Sequence, residues 1–124
     1  MKFHAICENH LYQKAYAKGK RMVTPSLAVY ILPDYGAKRI AKARPDKQTV
    51  NRIGLTVSTK LGGAVVRSRM RRIMRAALSS VMKDTPLKTG FLIVIAARGA
   101  AVGKKSTDLT EELSGALRRL GMFA

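Results

Sequence analysis

With 124 residues the chain has room for one domain and a modest core, and its 24 Lys and Arg against 7 Asp and Glu leave a net charge of +17. Such a charge opposes compaction and attracts polyanions, so nucleic acid is the first partner to consider. Yet 47% of the residues are apolar and they fall in strand-like and helix-like runs, which excludes a disordered basic tail; the absence of Trp argues against an anchor on an anionic membrane surface.

The N-terminal MKFHAICENH has no apolar signal region, and the longest apolar run, residues 91–97, is far too short to span a bilayer. The expectation is a cytoplasmic protein with no membrane partner. Cys7 is the only cysteine, so it has no internal disulfide partner, and it lacks neighbours at metal-ligand spacing; a small, partly buried thiol is expected.

In chain order, residues 8–17 suggest a short helix from the spacing of Cys7, Leu11 and Ala15, with Tyr12 and Tyr16 four apart on an adjoining stripe and Gly19 as its stop. SLAVYILP (26–33) reads as a strand, with Leu27, Val29 and Ile31 on one face and Ala28, Tyr30 and Leu32 on the other. Residues 34–50 form a long basic loop carrying Lys38, Arg39, Lys42, Arg44 and Lys47. RIGLTVST (52–59) alternates cleanly, with Ile53, Leu55 and Val57 opposite a wet face of Gly54, Thr56 and Ser58. A helical stripe follows over 63–82, then GFLIVIAA (90–97), an apolar run suited to a central strand buried on both faces. The D-x-x-E from Asp108 to Glu111 reads as the cap of a last helix bearing Leu109, Leu113, Ala116, Leu117 and Leu120. The expected fold is α+β: residues 1–124 as a single α-β-β-α-β-α sandwich, a small sheet packed by helices.

The middle helix carries the charge. On a wheel of about 100° per residue with Val66 at zero, Met70, Ile73, Ala77 and Val81 fall within roughly 60° of it and form the expected buried stripe. Arg67, Arg71 and Arg75 then lie near about 100°, 140° and 180° with Ser68 near 200°, whereas Arg72 and Arg69 lie near 240° and 300°. The arginines make two rows. No acid occurs between Asp46 and Asp84, although a helix face built for stability would interleave Glu for i,i+4 pairs. Arginine offers a planar fork that pairs phosphates and stacks on bases, so the rows point to RNA or DNA.

Gly62 and Gly63 precede this helix without a G-x-G-x-x-G or Walker pattern, and a tight turn is the more economical reading than a phosphate loop. Tyr12, Tyr16 and Tyr30 are either core aromatics or a stacking platform; Tyr30 is out of phase with the apolar side of its strand and suits sequence-tolerant stacking of single-stranded bases. Material for catalysis is thin: His4 and His10 sit near the start, and the acids are scattered, with no pair resembling a metal site or an acid/base couple.

RIGLTVSTKLGGAVVRSRMRRIMRAAL (52–78) resembles the signature R-[IV]-G-x-x-V-S-K-K-x-G-x-A-V-x-R-N-R-x-[KR]-R of the bacterial ribonuclease P protein component family. LYQKAYAKGKR, LAVYILP and FLIVIAARGAA resemble other blocks of that family, so the resemblance covers nearly the whole chain. It implies a ribosomal-protein-like fold with a left-handed βαβ crossover, and a protein that assists a catalytic RNA in cutting the 5′ leader from precursor tRNA. Hydrolysis would then belong to the RNA and its magnesium ions, with no catalytic group, metal or cofactor on the protein and no protein partner required. Lys60, Arg69 and Arg72 would contact the RNA subunit. Tyr12, Tyr16, Tyr30, Arg67, Ser68, Arg71 and Arg75 would face the leader in a cleft beside the sheet. The sequence departs from the signature at Ser68, where the family has asparagine, and at Thr59, where it has lysine. The alternatives are a ribosome-associated structural RNA-binding protein and a protein-only nuclease.

Overall fold

The structure is a computed structural model, and it describes residues 4–5, 9–33, 52–84, 87 and 91–123. Cys7, the basic loop 34–50 and the turn containing Pro86 and Gly90 lie outside the described residues. The elements in order are β1 (His4–Ala5), α1 (Asn9–Lys18), β2 (Lys20–Val23), β3 (Leu27–Pro33), β4 (Arg52–Thr56), α2 (Ala64–Asp84), β5 (Phe91–Ala97) and α3 (Ser106–Arg119). The expected α-β-β-α-β-α order is kept, and two short strands, β1 and β2, are added to it.

One sheet runs β1-β4-β5-β3-β2. The apolar run of β5 is its central strand, parallel to β4 and antiparallel to β3. Its alternate residues feed two cores, as a strand covered on both faces requires. Ile93 and Ile95 join Leu27, Val29, Ile31 and Ile53 beneath α2 and α3, where Met70, Met74, Leu78, Leu109, Leu113 and Leu117 complete the main core. Leu92 and Val94 join Ala15, Tyr12, Tyr30 and Leu32 beneath α1. Both strand alternations expected from sequence are therefore present, with α1 on one face and α2 and α3 on the other. The chain passes from β4 through α2 to the adjacent parallel β5, which is the βαβ crossover.

The buried stripe of α2 differs from the expected one. Met70, Met74, Ala77, Leu78 and Val81 are buried, whereas Ile73 is only half-buried and Val66 is 37% exposed. On the wheel the stripe is turned by about 40° toward Arg67. The physical reason is position: the first turn of α2 has no buried residue, and packing begins only at Met70.

α3 also starts three residues earlier than its D-x-x-E suggests. Its N-cap is Lys105, and Asp108 sits in the first turn, where its Oδ2 accepts the Lys105 N–H at 3.2 Å. A carboxylate there satisfies a free helix N–H and suits the positive end of the helix dipole.

Two contacts set the frame of the sheet. Gly19 ends α1 by donating its N–H to Ala15 O at 2.9 Å, and a Cβ on it would lie 2.5 Å from Ala15 O and 2.8 Å from Ile31 O. Only glycine allows the helix end and β3 to approach so closely. At the other end of β3, Thr24 closes the β2–β3 turn by backbone and side-chain bonds to Leu27. Buried Ser26 follows, donating its N–H to Glu112 Oε1 at 3.1 Å and accepting from Lys104 Nζ at 2.6 Å. Lys104 also pairs with Glu112 Oε2 at 3.3 Å, so this corner ties the turn to α3. Burial opposes ionisation of Glu112, but the hydrogen bonds from Ser26, Lys104 and Thr24 together outweigh it and hold its carboxyl below the usual carboxylate range.

Candidate nucleic-acid interface

The three tyrosines named from sequence converge. Tyr12 and Tyr16, one turn apart on α1, both lean over the sheet, as i,i+4 residues on one helix face can. The Tyr12 ring lies on Gly54 of β4, so close that a Cβ there would fall 2.5 Å from Cε1 and from the hydroxyl oxygen. Gly54 is thus a seat for an aromatic ring, a role the alternation of RIGLTVST did not disclose. Tyr16 meets Tyr30 edge to face, with centroids 4.8 Å apart and planes at 83°. That geometry matches the ring quadrupoles and contributes about 0.5–1.5 kcal/mol beyond burial. The Tyr16 hydroxyl is 3.5 Å from Thr56 Oγ1, and the ring is 44% exposed. Aromatic rings therefore line the side of β4 expected to be wet, and the outermost of them is open to solvent.

The turn into α2 follows β4 directly. Ser58 Oγ accepts the Lys60 N–H at 3.2 Å, and Lys60 is exposed in a single 3-10 turn, Thr59–Leu61. Gly62 has φ +152°, and a Cβ on it would be 2.9 Å from Val66 Cβ. This agrees with the tight-turn reading, because Gly62 is needed for chain direction and clearance. Arg67 then donates its backbone N–H to Gly63 O at 3.0 Å as the helix begins.

Arg69, Arg71, Arg72, Arg75 and Ser68 are all exposed. Arg67 is half-buried, as the rotated stripe requires, and its Nε is buried with no hydrogen-bond partner among the described residues. Ser68 shares a shallow concavity with Arg69 and Arg72, bordered by Ala64 and Val65. The wheel groups Ser68 with the Arg67 row, and in the structure its concavity is shared with Arg69 and Arg72.

α1 and α2 occupy opposite faces of the sheet, so the tyrosines and the arginines do not form one continuous wall. α2 follows β4 in the chain through the Thr59–Leu61 turn. Arg71 and Arg75 lie about one and two helical turns beyond Arg67, about 6 and 12 Å along the axis. Among the described residues no group of three or more His, Cys, Asp or Glu stands together as metal ligands would, and no helix is long and apolar enough to cross a membrane.

A sequence profile of the Ribonuclease P family matches residues 1–121. The chain belongs to the ribonuclease P protein family. It is 32% identical over 122 residues to the ribonuclease P protein component of Clostridium acetobutylicum, covering 98% of this chain and 92% of that one. It is 28% identical over 118 residues to the component of Clostridium perfringens, covering 95% and 89%. Among solved structures, the RNase P protein of Staphylococcus aureus superposes with a TM-score of 0.75 at 23% identity over 99% of this chain and 100% of that one. The protein of Thermotoga maritima superposes with a TM-score of 0.66 at 20% identity, over 87% and 89%. These likenesses show the fold expected of an RNase P protein, a mixed α+β sheet with three helices.

Proposed function

We propose that this RNase P protein binds the catalytic RNA of the ribonucleoprotein through Lys60, Arg69 and Arg72, and holds the 5′ leader of precursor tRNA in the aromatic cleft. The observation that carries the reading is the convergence of Tyr12, Tyr16 and Tyr30 over Gly54 and Thr56 of β4, the strand from which the chain passes into an arginine-rich helix with no acid before Asp84. Rings that present a face or an edge to solvent stack on any base, so leader binding is tolerant of sequence. Arg67, with its buried Nε, is assigned to the leader together with Ser68, Arg71 and Arg75 on the exposed side of α2.

Among the described residues the donor set beside the cleft is phenols, one threonine and guanidinium groups, which fits phosphate and base contacts. We assign the hydrolytic chemistry to magnesium ions held by the RNA. The protein's own residues bind the leader, orient it by stacking, and neutralise phosphates. We assign its site of action to the cytoplasm, and the ribosome-associated alternative has no observation of its own in support.

The test compares the affinity of the reconstituted holoenzyme for precursor and mature tRNA, with and without the protein. One stacked base contributes about 1–3 kcal/mol, so the protein is expected to tighten precursor binding by about tenfold or more and to leave mature tRNA nearly unchanged. Equal tightening of both would overturn leader binding. Crosslinks from position 67 to the leader, and from position 69 to the RNA subunit, test the division of the arginines.

A further inference from the structure

β2 is the edge of the sheet, and among the described residues no strand lies beyond it. The Thr24 N–H donates to Leu27 O at 2.7 Å across the β2–β3 turn. An antiparallel ladder alternates bonded and unbonded pairs, which places Met22 and Val29 in a bonded pair and turns the N–H and C=O of Arg21 and Val23 away from β3. Beside this open edge runs α3. Met22, Val23, Glu111, Gly115, Ala116 and Arg119 line a concavity between the two. Its volume is about 270 Å³, against about 30 Å³ for one water molecule, so it admits side chains. α2 packs on β4 and on α3, while α3 packs on β3 and β2, so α3 separates this groove from the arginine helix.

Three residues of the groove have no use inside the fold. Gly115 stands in the middle of α3, where glycine is less stable than alanine, yet a Cβ on it would meet nothing within 4 Å and its φ is not positive. Glu111 is exposed and makes no ion pair among the described residues, although the chain has 24 cations for 7 acids. Val23 is a β-branched side chain 46% exposed on the outermost strand. Glu112 lines the same groove but is already engaged by Ser26 and Lys104. Glu111 and Arg119 are eight positions apart on α3, about 12 Å along its axis, with Gly115 midway between them. The carboxylates repel a phosphate backbone, and one free acid facing one arginine calls for an occupant that carries both signs.

We propose that the groove takes an extended segment of another protein, added beside β2 as a further strand, with a basic and an acidic residue four positions apart. Four residues of strand span about 13 Å, which matches the separation of Glu111 and Arg119, and even spacing turns both charges to the α3 side. The small residue midway between them lies over Gly115, where the missing side chain lets it approach. The odd positions face the other way, beside Val23, so β-branched apolar residues fit there. The outward backbone groups of Arg21 and Val23 bond to the segment, the mode of recognition that an open sheet edge offers. A second copy of this chain is opposed by the +17 charge that each copy carries.

The experiment titrates the full-length protein into a labelled, end-blocked heptapeptide, Thr-Lys-Val-Ala-Val-Glu-Thr, and reads fluorescence anisotropy. The comparison peptide, Thr-Lys-Val-Ala-Glu-Val-Thr, has the same composition with its charges three apart, on opposite faces of a strand. The first is expected to bind saturably and at least fivefold tighter than the second. Glu111→Lys should weaken it about fivefold, and a peptide with glutamate in place of the lysine should regain that loss. Gly115→Leu should fill the groove and weaken binding tenfold or more, while its urea midpoint stays at or above that of wild type because leucine is the better helix former. Both variants should keep the holoenzyme's affinity for precursor tRNA, so failure here is separate from failure of the leader reading. Equal binding of the two peptides, or unchanged binding by Gly115→Leu, overturns the proposal. Loss of precursor tRNA affinity in both variants would place the groove on the RNA surface and overturn it. Self-association of wild type that Gly115→Leu abolishes, without peptide binding, would assign the groove to a second copy and overturn it likewise.

Discussion

Replacing Gly54 with alanine should displace Tyr12 and leave the sheet intact. The added Cβ would stand 2.5 Å from Tyr12 Cε1 and its hydroxyl oxygen and 2.6 Å from Cζ. Carbon atoms settle at about 3.5–4.0 Å, so the ring must retreat by roughly 1 Å or more. Overpacking of this size costs about 1–3 kcal/mol, and the loss of glycine's freedom in the unfolded chain returns about 0.4–1 kcal/mol, leaving a net loss of about 1–2 kcal/mol. The cost resides in one pair, which a double-mutant cycle isolates. In a Tyr12→Ala background the obstacle is gone, and Gly54→Ala should become neutral or slightly stabilising, giving a coupling of about 1–3 kcal/mol. Urea unfolding of the four proteins at one salt concentration measures it. If Gly54→Ala costs the same in both backgrounds, Tyr12 does not rest on Gly54, and the cleft floor is built differently.

Tyr16→Phe should leave leader affinity almost unchanged, because the lost hydroxyl contact to Thr56 is long at 3.5 Å; Tyr16→Ala should cost about 1–3 kcal/mol of leader binding, read from precursor tRNA titrations. Leu109→Ala, at a fully buried position of α3, should destabilise the protein by about 2–5 kcal/mol in the same urea assay while leaving the RNA-facing residues in place. Glu112 has a lowered carboxyl pKa in the folded state, so its contribution to stability is complete above the ordinary glutamate value and is lost as pH falls through the lowered one. Glu112→Gln should therefore flatten the acid limb of a stability-versus-pH curve, and an unchanged limb would assign that limb to other carboxylates.

The two faces of β3 and β4 were readable from sequence because a period of two leaves no choice once one face is apolar. Central placement of β5 was readable because a run with no polar alternation has to be covered on both sides. Lys20–Val23 gave no such signal: it is a four-residue edge strand, mostly exposed, formed because β3 offers it a partner. His4–Ala5 is shorter still. The α2 stripe was misread by a fraction of a turn because Val66 is apolar yet stands before the helix reaches the core, and periodicity cannot tell a projecting turn from a packed one. Of the site, residue types were legible and adjacency was not. Nothing in the spacing says that Tyr12 meets Gly54, that Tyr16 reaches Thr56 forty positions away, or that Arg67 alone of its row tucks its Nε under cover.

The most direct test of the central claim adds the purified protein to a bacterial ribonuclease P RNA and precursor tRNA at near-physiological magnesium and follows release of the 5′ leader. The account predicts faster cleavage with the protein than without it, no cleavage by the protein alone, and a stimulation that Tyr16→Ala reduces. Leader cleavage at the same rate with and without the protein, at every protein concentration, would contradict it.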